Sequence, residues 1–547
     1  MKHLNLFFAY LMGLVIGFNL YSCKNEEVEP PVVTPSFEVQ NELGEVFNNA
    51  LKPSYLGGEY QLVVKSTCKW EAQVTCEGGW ITLDPTSADG SKTCVMTISA
   101  NDAEDTTVGR TGKVTFIPAD ESLTPFEITI TQSFKPFNQE AYFISPEGAG
   151  TKDGTTWENA MDFAGFRTLL SQDGVSTSPV YMMEGTYKST GQITPRKNIK
   201  LISGGYSSSS TGIDITNKSS NPTIISGENL SRIINIEQIN ARIENIEFAN
   251  GKSVSGNYDW GIGVFIYVLD ENTVELVNCV VRDCSSDGNA NEGAAITVHG
   301  TGTVKLDNVA IYNNKSKTQG GGIHVTSSSA LRLFMNNCTL SANTVRDDDW
   351  CWGVAFQVNV GEDLSHVYMN NTTIFAKAFL NTGNARNVLN SDCPVIAINS
   401  TFVGAENNYN VVRVNNSRGT TGFINCLFVN NGATGKSLSH ADQSSILSLG
   451  WNVHQGFDFE AKSTDTDASE WTFDDLRNED GVYKWNVDDQ LQNFAKTSDI
   501  INTLSEIEGC QDFIEWIGGE DGLSKDQLGN SRNPEKLQPG AYDATLN

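Results

Sequence analysis

Between residues 245 and 428 one short pattern returns seven times: an Asn, then an apolar residue three positions on. The copies begin at Asn245, Asn278, Asn308, Asn337, Asn371, Asn399 and Asn425. They end at Phe248, Val281, Ile311, Leu340, Ile374, Phe402 and Phe428. Successive Asn residues lie 33, 30, 29, 34, 28 and 26 positions apart. A near-fixed period of this size marks a solenoid, in which each unit buries its apolar face against its neighbours. Every period holds short β runs and no helical periodicity, so the unit is a coil of strands. Each coil must turn sharply, and Asn tolerates the left-handed backbone region better than most other non-glycine residues. Stacked at the strand spacing of ~4.8 Å, Asn amides can also hydrogen-bond from coil to coil. The seven Asn are therefore read as structural.

The positions after each Asn alternate as a strand with one buried face should. Cys279, Cys338 and Cys426 fall on buried positions. Cys279 and Cys338 are two coils apart, about 9.6 Å, which is too far for a disulfide. They read as buried thiols. A second strand, led by Gly261, Gly293, Gly320 or Gly353, precedes the Asn of each coil. Alternation there points Val264, Ala294 and Val354 inward, with Ile266, Ile296, Ile323 and Phe356. Tyr267, Thr297, His324 and Gln357 then form one outward row, and Leu269, His299, Thr326 and Asn359 the next. Later coils add Arg413 and Arg386, and the feeding turns carry Trp260 and the run from Arg346 through Trp350 to Trp352.

Rings, amides and imidazoles side by side on a flat sheet suit a sugar polymer: rings stack on its apolar face and amides take its hydroxyls. The candidate glycan-binding residues are Trp260, Tyr267, His299, His324, Trp350, Trp352 and Gln357. The competing reading is an ordinary polar strand face with the Trp residues packed beneath loops. Asp347, Asp348 and Asp349 could hold calcium through oxygen ligands, or form a solvated acidic turn. No other cofactor is expected.

The Gly-led strands with the Asn turns resemble the GGAI-and-FxxN repeats of bacterial β-helix surface proteins and adhesins. Tyr142–Pro146, Asp153–Trp157 and Glu184–Tyr187 look like the usual opening of pectate-lyase-like proteins. Asp526-x-x-Gly529-x-x-Arg532 with Gly540-Ala541-Tyr542-Asp543 resembles a closing motif of one branch, which usually ends in Glu. These resemblances imply a right-handed parallel β-helix over residues 141–435, with the last coils and a cap over 436–547. They say little about function.

Residues 37–133 read differently, as short alternating runs bounded by Gly, Pro, Asp or Asn, the signal of an antiparallel β-sandwich. Trp70, Gly79-Trp80-Ile81, Pro85-Thr86-Ser87, Asn101, Arg110-x-Gly112 and Ile130-Thr131-Gln132 resemble the BACON domain of bacterial surface proteins. That resemblance makes Trp70 and Trp80 sugar platforms in one reading, while Trp at strand positions packs a core in the other. The fold class is thus all-β, an antiparallel sandwich followed by a parallel β-helix.

Residues 4–21 are apolar, follow Lys2 and stop at Leu20-Tyr21-Ser22-Cys23, the outline of a secretory signal over 1–22. Leu-x-Ser-Cys resembles the lipobox of bacterial lipoproteins, which implies a lipid on Cys23. Residues 23–36 then form a stiff Pro-rich spacer. Lys24-Asn25-Glu26-Glu27 looks like the acidic signal that sends some lipoproteins to the outer face of the outer membrane. Of eleven Cys, the ten beyond Cys23 show no CxxC pair and no zinc spacing.

A net charge of −29 excludes a basic nucleic-acid footprint. Paired-carboxylate hydrolase motifs such as Asn-Thr-Asp and Gly-His-Gly are missing, as is the Arg-x-Pro-x-x-Arg of pectate lyases. The expected function is non-catalytic binding of a polysaccharide or host glycan by a monomeric chain anchored through its lipid. Two alternatives stay open. One is a polysaccharide lyase of uronate glycans using Arg413 or His324 as base; the other is a structural adhesin.

Overall fold

The fold is described from a computed structural model covering residues 34–101, 109–133, 140–253, 260–286, 293–317, 319–327, 330–345, 353, 355–360, 365–376, 387–404, 410–414, 420–430, 438–440, 446–456, 461–471, 491 and 493–542. Residues 37–132 build two sheets. Phe37–Asn41, Gly58–Ser66, Lys92–Ile98 and Ile81–Asp84 form one; Ala50–Leu51, Phe126–Gln132, Arg110–Pro118, Lys69–Thr75 and Ser87–Asp89 form the other. All pairs are antiparallel except the short edge of Ala50–Leu51 on Phe126–Gln132. Val39, Leu62, Met96, Val114, Phe116 and Ile128 fill the space between them. Trp70 and Trp80 belong to that core, 3% and 5% exposed, so the packing reading holds for both. The Trp70 indole donates to Gly90 O at 2.9 Å, and the Arg110 guanidinium lies 4.5 Å from the Trp80 ring centre.

The rest of the chain coils into three parallel sheets of eight, eleven and twelve strands. Each coil contributes three strands, one more than the sequence reading allowed. In one coil these are Val264–Val268, Thr273–Val277 and Val280–Arg282; in the next, Ile296–Gly300, Thr303–Asp307 and Ala310–Tyr312. The additional middle strand ends at the Asn turn. It follows the Gly-led strand after only a few residues, so the two merge into one alternating run on paper.

All seven Asn adopt positive φ, from 46° to 55°. Trp451 takes the same conformation, φ 56°, one coil beyond Asn425. The amides bond along the stack: Asn308 Nδ2 to Asn278 Oδ1 at 2.8 Å, Asn371 to Asn337 at 3.2 Å and Asn425 to Asn399 at 2.8 Å. The thiols of Cys279, Cys338 and Cys426 are buried beside this ladder. Each sulfur lies 3.3–3.5 Å from two carbonyls, one in the preceding coil (Ile243, Leu306 or Ala397) and one two residues back (Val277, Asn336 or Ile424).

The helix α1 (Phe163–Ser171) closes the first coils. Asp162 caps it, accepting from Gly165 N at 2.8 Å. Phe166, Leu169 and Leu170 seal the end of the solenoid core, and Tyr55 and Leu56 of the antiparallel unit join the same cluster.

The C-terminal segment holds both coils and helices. Strands Leu438–His440, Ile446–Gly450, Val453–His454 and Thr466–Asp467 continue the three sheets. Residues 493–542, however, lie along the flank of the solenoid. The helices α2 (Thr497–Ser505), α3 (Cys510–Trp516) and α4 (Gly519–Leu523) bring Ile500, Leu504, Phe513 and Ile514 against Phe334, Tyr368, Ile396 and Ile424 of the middle sheet. The middle strands carry apolar residues on both faces here, and only a lateral cover removes the outer ones from water.

Candidate functional site

The backbone register is counted from Gly261, which donates to Gly293 O at 2.9 Å. Val264 pairs with Ile296, Phe265 with Thr297 and Tyr267 with His299. This corrects the expected rows. Phe265, Thr297, His324, Gln357, Asn390 and Arg413 form one outward row, and Tyr267, His299, Thr326 and Asn359 form the next. Tyr267 therefore stands beside His299 rather than Thr297, and Leu269 lies beyond its strand. The placement on paper slipped by two residues, which preserves the face but changes the neighbour.

The middle of the first row, from Thr297 to Asn390, is covered, while Phe265 and Arg413 at its ends are half-exposed. His324 and Gln357 are each 1% exposed, against the expectation that both line an open groove. The leading glycines explain part of this. Gly293, Gly320 and Gly353 have φ of 72°, 55° and 54° and fold back over the residue four positions on. A Cβ on Gly293 would fall 2.8 Å from His324 Cβ, and one on Gly353 would fall 2.6 Å from Gln357 Oε1. Positive φ and this approach both require Gly.

His324 is held in a polar network. Asn359 Nδ2 donates to Gln319 Oε1 at 2.8 Å and lies 3.1 Å from His324 Nε2. Since the amide nitrogen can only donate, His324 Nε2 is the acceptor. Burial, helped by the nearby His299, pushes the His324 pKa down to about 3, so the ring is neutral at ordinary pH. Arg413 Nη1 donates to Asn390 Oδ1 at 3.3 Å in the same row.

The second row is half-exposed at all four positions. The His299 ring sits 5.0 Å from Tyr267 and 6.5 Å from Trp260. His299 Nδ1 is 2.7 Å from Thr326 O. A carbonyl only accepts, so Nδ1 carries a proton. The structure thus gathers Trp260, Tyr267 and His299 into one aromatic group, continued by Thr326, Asn359 and Gln319. Gln319 escaped the sequence reading because it lies in a turn before its strand. Trp350, Trp352, Asp347, Asp348, Asp349, Arg386 and Cys23 lie outside the described residues. Among the described residues, no three His, Cys, Asp or Glu side chains converge as a metal site.

Comparison with known proteins identifies the first unit. Residues 70–133 match the model of the BACON family, "Putative binding domain, N-terminal". These residues are a BACON domain. Among curated proteins no sequence matches the chain. Two solved structures show partial likeness. A Bacteroides ovatus GH5 xyloglucanase in complex with a XXXG heptasaccharide is 21% identical, covers 26% of this chain and has a TM-score of 0.16. The chain spans 26% of that enzyme's length. The ASH / PapD-like domain of human CEP192 is 13% identical over 22% of this chain and 100% of its own, with a TM-score of 0.14.

Proposed function

We propose that this chain is a glycan-binding protein held at the outer membrane by a lipid on Cys23, with the BACON domain between anchor and solenoid. An extended polysaccharide lies along Tyr267, His299, Thr326 and Asn359, crossing one coil per sugar unit. The observation that carries this reading is the Trp260–His299–Tyr267 ring group running directly into a strip of hydroxyl and amide groups. Rings stack on the apolar face of a pyranose, while His299, Thr326, Asn359 and Gln319 exchange hydrogen bonds with its hydroxyls. A rigid sheet presents these groups with little ordering cost.

Catalysis is not part of this reading. A lyase base must meet the α-proton of the sugar. His324 is buried, and the Arg413 guanidinium is engaged by Asn390.

The test is a glycan screen on the purified chain, with and without calcium, reading both retention and the ultraviolet absorbance of unsaturated uronate products. Retention that falls at least about tenfold in a Trp260→Ala/Tyr267→Ala variant supports the proposal. Retention unchanged in that variant, or rising absorbance, overturns it. Cys23→Ser is expected to release the chain from the membrane fraction.

A further inference from the structure

The antiparallel unit and the first coils do not meet flush. Their contact is polar at its edges: Thr168 Oγ1 donates to Gly57 O at 3.3 Å, Lys188 pairs with Glu45 at 3.2 Å, and Thr190 donates to the Glu42 carboxylate. Between these contacts lies a cavity of about 630 Å³, with Glu42, Glu59 and Gln61 on one side and Arg167, Gln192 and Arg196 on the other. A second chamber of about 420 Å³ shares Glu42, Glu59 and Arg167 with the first. Both volumes fall in the range of small-molecule sites, roughly 300–1,000 Å³.

Two arginines distinguish this cleft. Other arginines of the described residues hand their guanidinium to a protein acceptor. Arg242 holds Glu244 and Glu275, Arg282 holds Glu247 and Asp283, and Arg332 holds Asp512. Arg167 and Arg196 have no such side-chain hydrogen bond or ion pair among the described residues. Arg167 is half-buried at the α1 wall and Arg196 is exposed at the rim. A Cβ on Gly191 would fall 2.9 Å from Arg167 Nη2, so Gly191 leaves room for the fork. Glu42 and Glu59 act on Arg167 through space without closing an ion pair. A half-buried guanidinium without a protein acceptor favours a ligand that supplies one.

We infer that this cleft is a second ligand site, distinct from the coil face, for a short saccharide bearing a carboxylate. Arg167 and Arg196 take the carboxylate, the planar fork of Arg167 bidentately. Glu42, Glu59, Gln61 and Gln192 take the hydroxyls of the neighbouring sugar. The ligand touches both units, so it ties the antiparallel unit to the solenoid.

The test uses the whole chain and two probes, trigalacturonate and its methyl ester, followed by calorimetric titration. The acid is expected to bind, and the ester to bind at least about tenfold more weakly, in line with the loss of a charge-assisted pair. Arg167→Gln and the exposed, fold-neutral Arg196→Gln should each weaken the acid, while Trp260→Ala/Tyr267→Ala should leave it unchanged. Absence of binding by the acid overturns the inference. So does affinity that is unaltered in both arginine variants. Affinity lost only in the Trp260/Tyr267 variant also overturns it, and places the acid on the coil face instead.

Discussion

Arg532 Nη2 donates to Asn371 Oδ1 at 3.1 Å, joining the C-terminal segment to the Asn ladder across 161 residues of sequence. The same guanidinium donates to the carbonyls of Gln538, Gly540 and Ala541 and is 2% exposed. Nearby, Gln527 donates to Cys338 O and Thr339 Oγ1, and Asn425 donates to Gln538 O. The closing motif recognised in the sequence is thus a clamp on the outer corner of the coils. Both terminal nitrogens of this buried charge thus face oriented acceptors. Arg532→Ala should cost about 3 kcal/mol, because it strands several buried acceptors. Limited proteolysis checks this: residues 493–542 should be cut faster while residues 37–132 keep their rate.

Asn425 combines a left-handed backbone, φ 53°, with amide bonds to Asn399 and Gln538. Asn425→Ala loses both the bonds and the backbone preference, about 3 kcal/mol in all. Asn425→Gly loses the bonds only. Denaturant midpoints should place the Gly variant above the Ala variant by about 1 kcal/mol.

A methyl on Gly320 would fall 2.6 Å from Ile323 O and 2.9 Å from His324 Cβ, at φ 55°. Gly320→Ala should destabilise by about 2–3 kcal/mol through backbone strain and overpacking. Thermal melting would show it, whereas Gly212→Ala, also at positive φ but with nothing within 4 Å of its Cβ, should cost less.

His324 makes stability pH-dependent. Its ordinary value is 6.5, and folding lowers it to about 3. Between those values the unfolded chain binds a proton that the folded chain refuses. Stability is therefore unaffected above pH 6.5 and falls as pH drops toward 3, by up to ~1.4 kcal/mol per pH unit from this group. His324→Gln keeps an acceptor for Asn359 and removes the titration. Urea midpoints measured at about pH 7 and about pH 4.5 should differ less in the variant than in the parent.

Burial pushes the thiols of Cys279, Cys338 and Cys426 up to about 12. Thiolate is the reactive form, so iodoacetamide should leave these three unmodified in the native chain and label them after denaturation. Native labelling of any of the three, read by peptide mass spectrometry, would contradict the packing.

Much of the fold was legible because it is local and repeated. A positive-φ turn has few suitable residues, so the Asn positions, their spacing and the thiols beside them are legible in the sequence. The alternation of Val264, Ile266 and Val268 likewise marked an inner face. The middle strands were less visible, since a three-stranded coil with short connections blurs into fewer runs. The site was legible only in kind. Trp260, Tyr267 and His299 are among the seven candidates the sequence offers, but their neighbour relations depend on a register that alternation leaves uncertain by two residues.

By itself the sequence determined the coil: its period, its Asn corners, its inward apolar rows and the BACON-like unit ahead of it. These follow from backbone sterics and burial within one repeat. Tertiary structure alone decided what covers the outside. His324 and Gln357 point away from the core yet are buried, because a neighbouring backbone passes over them. Residues 493–542 flank the solenoid because the middle sheet has a second apolar face to bury. Glu42, Glu59, Arg167 and Arg196 share one cleft only through the docking of two units. Such contacts join residues far apart in the chain, and no local preference encodes them.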